Sequence, residues 1–501
     1  MAIPYLTGGQ LKVLSEDDIR KVHFGVLTVL EETGVRVEYR PALELLRDAG
    51  CRVDFEKRLA FIPEHVLRKA LATAPSRFTL YGKPADQADK SREWDVPVDT
   101  DRVYTIGGSC ALDVLDLDGV RRPATVQDLV DLTRLQDGLE NLHIMHSLVV
   151  PQDIPQPGFE RIMFATVMKH TTRNFYSQGQ GPRSVRDQVE MAAVIQGSAE
   201  EVARRPIFTI VCCLISPLVQ TTERVAELME SARLGVPVYV EVDTMAGATA
   251  PVTLAGALVE ECANVLCGVT LAQLVNPGCP CIFSIASGIL NMANGQYSGA
   301  APETALLHAA TAQMSHFYGL PFQGGTGIDA TVPDAQAGYE RALQVLTNAL
   351  AGTNFIHLSV GMMEQMLLAS YEQCVIDDEI LGAAFRIARG FEVNEETLGI
   401  DVIREIGPGG HFLGHEHTAR NFRRELWFPK VTNRDTHPRW AAAGGKDMRQ
   451  RANERAREIL ASHHPRPLTP EQEREIDRMS KAGQEWAVAH GPGVEFEGEA
   501  R

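Results

Sequence analysis

From about residue 103 onward, short runs of β-branched and aromatic residues alternate with stretches whose apolar positions recur every three or four residues. That rhythm predicts strands joined by amphipathic helices, the pattern of βα units on a parallel sheet. Strands are expected at 103–107, 143–150, 174–178, 207–215, 236–242, 282–286, 321–324 and 355–360. Helices are expected between and after them at 125–136, 159–169, 184–196, 222–233, 254–274, 302–316, 335–351 and 370–388. Thr125, Ser184, Thr222 and the pair Pro302-Glu303 supply N-cap or first-turn residues for several of these helices. About eight strand–helix pairs over about 290 residues predict an α/β fold of the (β/α)8 TIM-barrel type. A doubly wound open sheet shares the alternation and stays open as an alternative. No G-x-G-x-x-G opens the first βα unit, which disfavours its dinucleotide-binding version.

Before this region the pattern is mixed. Ser15 with Asp18 three residues later predicts a helix start of the capping-box kind. Ile19, Val22, Val26, Val29 and Leu30 form its apolar stripe, and Gly34 ends it. Two more helices are expected at 41–49 and 63–74. Beyond residue 392 comes a glycine-rich stretch, then helices at 447–461 and from Thr469-Pro470-Glu471 to about residue 490. The expected organisation is an N-terminal α+β cap (1–100), a TIM-barrel catalytic domain (101–392), and a Gly/His-rich segment with a C-terminal helical tail (393–501). The tail is expected to pack on the barrel or on a partner subunit, and the residues from Gly491 to fray.

The 501 residues have the apolar and charged fractions of an ordinary globular protein. A formal net charge of −17 argues against nucleic acid or an anionic membrane as partner and is compatible with a cationic substrate. Apolar stretches are interrupted by Gly, Pro or charge well short of about 20 residues, so no membrane span is expected. Met1-Ala2-Ile3-Pro4-Tyr5 lacks the basic and apolar pattern of a secretory signal. The nine cysteines are scattered without a C-x-x-C pair, which predicts reduced thiols, no bound metal and a cytoplasmic protein.

Barrel enzymes work at the carboxyl ends of their strands. That rule selects Tyr104, Phe175, Tyr176, Gln178, Gln180, Glu241, Gln323 and His357 as candidate substrate-binding residues. Gln178 and Gln180 serve equally well as partners for loop backbone, and Tyr104 and Tyr176 are more often core or rim aromatics. Glu241 and Asp243 close an apolar strand, where a buried carboxylate is expensive unless paired, ligated or facing a cation. His411, His415 and His417 have the density of a ligand cluster, but Gly409, Gly410 and Gly414 point to a structural turn. Arg420, Arg423 and Arg424 predict a solvated or interface helix face, or a place for an anionic cofactor tail.

Three blocks have a further meaning. They are Asp334-Ala335-Gln336-Ala337-Gly338-Tyr339-Glu340, then Ala369-Ser370-Tyr371-Glu372-Gln373-Cys374-Val375-Ile376-Asp377, then residues 401–418 with Gly407-Pro408-Gly409-Gly410-His411-Phe412-Leu413-Gly414-His415-Glu416-His417. Together they resemble the trimethylamine methyltransferase (MttB) family. The resemblance implies a corrinoid-dependent methyltransferase on a TIM barrel, with the corrinoid (cobalamin) carried by a small cognate partner protein whose Co(I) takes the methyl group. Gly324, Gly325, Thr326 and Asp329 are the residues expected to meet that corrinoid. The archaeal trimethylamine enzymes hold their amine with pyrrolysine, and this chain contains only standard residues. It therefore resembles the branch without pyrrolysine, which implies a quaternary amine such as glycine betaine and a homo-oligomeric enzyme. Another methylated amine or acceptor stays open, as does a non-catalytic betaine- or corrinoid-binding protein.

Overall fold

The computed structural model describes residues 6–84, 94–99 and 101–490, so the expectations for Met1–Tyr5 and from Gly491 onward lie outside the described residues. Eight parallel strands carry the main sheet: β1 (Arg102–Thr105), β2 (Met145–His146), β3 (Phe175–Gln178), β4 (Phe208–Leu214), β5 (Val238–Val242), β6 (Cys281–Ile285), β7 (Phe322–Gly325) and β8 (Phe355–His357). Their helices are α1 (Val126–Asp137), α2 (Phe159–His170), α3 (Pro182–Gln196), α4 (Thr222–Arg233), α5 (Leu254–Val275), α6 (Pro302–Phe317), α7 (Ala335–Ala351) and α8 (Tyr371–Ala388). An edge strand, Leu6–Thr7, pairs antiparallel with β1. The order is then β1, β8, β7, β6, β5, β4, β3, β2. The molecule is a mixed α/β protein whose nine-stranded, largely parallel sheet curls on itself. Ile106 and Ile144 form a parallel bridge beyond β1 and before β2. There Ile144 N–H donates to Thr105 O at 3.0 Å and Gly107 N–H to Ile144 O at 3.1 Å.

Successive strand residues point to opposite faces, and β5 shows the result. Val238, Val240 and Val242 join the large apolar core, whereas Tyr239 belongs to a separate cluster with Tyr104, Tyr176 and Phe355 inside the curl. Helix starts follow local chemistry. Thr125 caps α1 reciprocally with Asp128, and Ser370 caps α8 through the Gln373 N–H. Helix α5 is long and apolar enough to cross a membrane by length and composition alone. Glu260 and Glu261 interrupt its sequence but not its helix, and 78% of its most apolar window is buried within the molecule.

The N-terminal residues form helices Glu16–Thr28, Arg40–Asp48 and Glu64–Thr73 around a small sheet. Ser15 and Asp18 make the reciprocal cap, and the chain leaves the first helical region at Gly34, whose φ of 76° suits glycine. At the other terminus, helix Met448–Ser462 is fixed on α8 by Arg449 and Asn453, both donating to Glu372. Helix Pro470–His490 lies against α2 and α3, tied by the Lys169–Asp477 ion pair and by Gln472 on Val194 O. All nine cysteines are free.

Candidate active site

Strand register assembles the site. One line of paired residues crosses the sheet from Cys213 on β4 to Glu241 on β5, Ser284 on β6 and Gln323 on β7. These groups meet inside the curl at the carboxyl ends. Ser284 Oγ donates to Glu241 Oε2 at 2.7 Å, Tyr176 OH to the same oxygen at 3.1 Å, and Cys213 Sγ to Oε1 at 3.3 Å. Tyr176 OH also lies 3.3 Å from Gln323 Oε1, which Ser284 Oγ contacts as well.

The charge state of Glu241 is unusual. Burial pushes its carboxyl above the ordinary range, and the four neutral hydrogen-bonding neighbours only partly oppose this. Asp243, two residues on, is pushed up to about 7 by its crowded surroundings and then by Glu241. It faces the open end, where water reaches it, while Ala286 N–H donates to its Oδ1 at 3.2 Å. Among the described residues no Lys, Arg or His forms an ion pair with either carboxylate. The site is therefore an acidic pair lacking a cation.

A histidine pair lies beside it. His357 and His146 stack at 5.4 Å between centroids and 11° between planes, and each also packs against Tyr176. Burial holds both imidazoles neutral, His146 down to about 3 and His357 well below its ordinary value. Gln323 Nε2 lies 3.2 Å from Ile285 O, which orients the amide, and 3.1 Å from His357 Nδ1. His357 Nδ1 must then accept, which puts the ring proton on Nε2. That buried Nε2 has no partner.

Of the residues selected from sequence, the structure brings together Tyr176, Glu241, Gln323 and His357. Gln178 stands at the rim, accepting from Cys110 Sγ at 3.3 Å. Gln180 follows in the same loop with a buried, unpartnered Oε1. This loop is pinned from below by Glu227 of α4, which accepts from Gly179 N–H and Gly181 N–H at 3.2 Å each.

The remaining candidates lie elsewhere. Tyr104 sits at the amino-terminal end of the strands with its OH on Pro97 O at 2.8 Å. The register line explains this placement. It continues from Gln323 to Phe355 and then Tyr104, and strands in a curled sheet are staggered, so it descends from carboxyl ends to amino ends. Phe175 faces the helices, 5.7 Å from Phe164 of α2, because it neighbours the inward Tyr176 and must point the other way. Cys213, Ser284 and His146 were missed, whereas Asp243 was singled out with Glu241 though not placed among the eight. Strand parity with Glu241 marks Asp243, but only register finds Cys213 and Ser284.

The four residues expected to meet a corrinoid are committed to the scaffold. A side chain at Gly324 would press against Asn348 Oδ1 of α7, whereas one at Gly325 would meet only ordinary contacts. Thr326 is fully buried, donating to His357 O at 2.9 Å and accepting from Arg341 Nη1 at 2.9 Å. Asp329 accepts from Ser298 Oγ and Gly299 N–H, holding the hairpin of strands Gly288–Asn291 and Gln296–Ser298 over the carboxyl ends. The family-like blocks have the same job. Glu340 accepts from Asp329 N–H at 2.9 Å and Ala330 N–H at 3.1 Å. Buried Arg341 pairs with Asp377 at 3.0 Å and so staples the loops after β7 and β8 together.

His415 caps helix Glu416–Glu425, its Nδ1 accepting from His417 N–H at 3.0 Å, while Nε2 lies 3.4 Å from Glu405. Among the described residues, the grouping with metal-ligand spacing is instead Cys213, Glu241 and Asp243, whose ligand atoms lie within 4.8 Å of one another.

Polar groups gathered at the carboxyl ends of parallel strands, with helices outside, define as a class an α/β enzyme. Comparison with known proteins names the kind. The family model described as Trimethylamine methyltransferase (MTTB) matches residues 2–483. A glycine betaine methyltransferase of Desulfitobacterium hafniense is 33% identical over 418 residues, 83% of this chain and 86% of that protein. Trimethylamine methyltransferase MttB1 of Methanosarcina mazei is 32% identical over 472 residues, 92% of this chain and 93% of that protein. The solved monomethylamine methyltransferase (MtmB) of Methanosarcina barkeri is a distant likeness, with a TM-score of 0.45 and 10% identity over 91% of this chain and 95% of that one. The chain belongs to the trimethylamine methyltransferase (MttB) family.

Proposed function

We propose that this chain takes a methyl group from a betaine-like quaternary amine and passes it to the Co(I) of a corrinoid carried by a separate partner protein. The observation that carries this is the acidic pair at the strand ends, Glu241 buried and Asp243 beside it at the open end, with no ion-pairing basic residue among the described residues. A quaternary ammonium supplies the missing positive charge, and the Tyr176 face adds a cation–π surface beside it. The unpartnered Nε2–H of His357, with Gln178 and Gln180 at the rim, suits the carboxylate of a betaine. Co(I) supplies the electron pair for the new bond to carbon, and the nitrogen leaves with the C–N pair as a neutral tertiary amine, so no proton moves. This chain has therefore only to bind, orient and keep water out. The similarity to the glycine betaine methyltransferase of Desulfitobacterium hafniense supports the same substrate class.

We also read the curled sheet as a closed (β/α)8 barrel between an N-terminal cap (1–100) and a C-terminal segment (393–501). The Ile106–Ile144 bridge supports closure. Gly324, Gly325, Thr326 and Asp329 then act on the corrinoid partner only by shaping the rim, since their side chains and backbone are engaged internally. The test is methylation of added cob(I)alamin, followed by its visible spectrum, with glycine betaine, carnitine, proline betaine, choline and trimethylamine. Turnover of at least one quaternary amine is expected; turnover of none of them overturns the proposal.

Cys213, Glu241 and Asp243 also have the spacing to hold a divalent cation such as zinc. A bound ion would neutralise the pair and repel the ammonium. Metal analysis of the purified protein separates the two: one equivalent of metal lost in Glu241→Gln favours the ion, and a metal-free active enzyme favours the amine.

A further inference from the structure

Helix α5 runs through largely apolar surroundings, yet two adjacent carboxyls, Glu260 and Glu261, are buried in it. Among the described residues neither forms an ion pair, and burial raises both, Glu261 up to about 8. Apolar side chains would cost less at these places, so the pair serves something other than the packing of the helix. Glu260 reaches two loops at the carboxyl ends of the strands. It accepts from Leu218 N–H after β4 at 3.1 Å and from Thr244 Oγ1 after β5 at 2.9 Å. Glu261 accepts from Thr311 Oγ1 of α6 and lies beside Ser287, which follows β6. Thr244 is fully buried and bonded at every polar atom, since its N–H also donates to Ser287 Oγ at 3.1 Å and its O accepts from Gly288 N–H at 2.9 Å. Ser287 is held from the other side, where His308 Nε2–H of α6 donates to its carbonyl at 3.0 Å.

Asp243 stands between this frame and the site. Its peptide leads into Thr244, and its Oδ1 accepts from the N–H of Ala286, the residue before Ser287, at 3.2 Å. Its carboxylate is close to Glu241, the ligand atoms of Cys213, Glu241 and Asp243 lying within 4.8 Å of one another. Two carboxylates at that separation repel, and Asp243 is on the open side, where its side chain turns to water unless the backbone holds it. We infer that Thr244, backed by Glu260, is the positioning residue that keeps Asp243 beside Glu241, given the reading of these two as the cation site, and that Ser287 closes the frame from β6. A quaternary ammonium has no N–H to offer a carboxylate, so its attraction to the pair is set by distance. A hydroxyl locked between two buried partners fixes that distance without itself touching the ligand.

Calorimetric binding of glycine betaine to the full chain, in a double-mutant cycle of Thr244→Val with Asp243→Asn, tests this. Thr244→Val keeps the shape and loses the hydroxyl. It should weaken binding about tenfold in the wild-type background and less than about twofold in Asp243→Asn. Thr244→Ser, which keeps the hydroxyl, should recover most of the loss. A Thr244 that only supports the fold would weaken both backgrounds alike; that result, or wild-type affinity in Thr244→Val, overturns the inference alone. Wild-type affinity in Asp243→Asn, or a wild type that does not bind glycine betaine, removes the cation reading and the inference with it. Should Thr244→Val not fold, Ser287→Ala, which removes the acceptor of the Thr244 N–H, takes its place in the cycle with the same expected loss. No loss there, or an equal loss in both backgrounds, rejects the positioning role.

Discussion

At the amino-terminal ends of the strands, Tyr104, Phe355, Tyr239, Leu80, Val96 and Val98 pack into an apolar cluster, whereas at the carboxyl ends Cys213, Glu241, Ser284 and Gln323 form a polar one. Tyr104 and Phe355 of the first cluster lie on the same register line as the four residues of the second. The difference lies in how their interactions are completed. Tyr104 has its one polar atom satisfied by Pro97 O, and Phe355 is wholly enclosed. Burial holds the Glu241 carboxyl above its ordinary range and Asp243 beside it is raised to about 7, with no ion-paired cation among the described residues to relieve either. One end holds the sheet together, and the other stores an unmet electrostatic demand that a cationic ligand meets.

Variants at the two ends should therefore separate stability from activity. Phe355→Ala opens a cavity among Tyr104 and Tyr239 and should lower folding stability by about 3–5 kcal/mol. Denaturant melts check this, and a loss under 1 kcal/mol would deny that this end is the packing core. Asp243→Asn should leave stability nearly unchanged and lower kcat/KM for a quaternary amine by about tenfold, or ~1.4 kcal/mol. The pH profile sharpens this case. A permanent cation prefers the ionised pair, and the Asp243 carboxyl is held up to about 7. In the wild type kcat/KM should rise with pH through that region and level off above it. Asp243→Asn should flatten the rise, and an unaltered limb would assign it to another group. Tyr104→Phe, the mildest change, removes the bond to Pro97 O and should cost about 1 kcal/mol of stability with KM unmoved. A raised KM would return Tyr104 to the substrate.

The eight strand–helix pairs were legible in the sequence because hydrophobic period survives without tertiary information. Every expected strand and helix of the series appears, with ends displaced by a few residues, as at β2, where 143–150 narrows to Met145–His146. The site was only half legible. Glu241, Gln323, Tyr176 and His357 stand out as polar or aromatic residues late in apolar strands. Phe175 was selected beside Tyr176 although adjacent strand residues cannot share a face. Tyr104 was selected by strand order alone, whereas its depth follows from stagger between strands. Ser284 and Cys213 are ordinary strand residues in sequence, and only hydrogen-bond register sets them on Glu241. The family-like blocks were conspicuous for a different reason. Glu340, Arg341 and Asp377 staple the rim loops, and Gly407–His417 lies in the exposed segment beyond α8.

The most direct test of the acidic pair as a cation site is single-turnover methylation of cob(I)alamin by glycine betaine with wild type and Glu241→Gln. Removing the negative charge while keeping the shape should slow methyl transfer about 100-fold, ~2.7 kcal/mol, with the melting temperature equal or higher because a buried carboxyl is replaced by a neutral amide. Wild-type rates in Glu241→Gln would contradict the assignment of the cation to the strand ends.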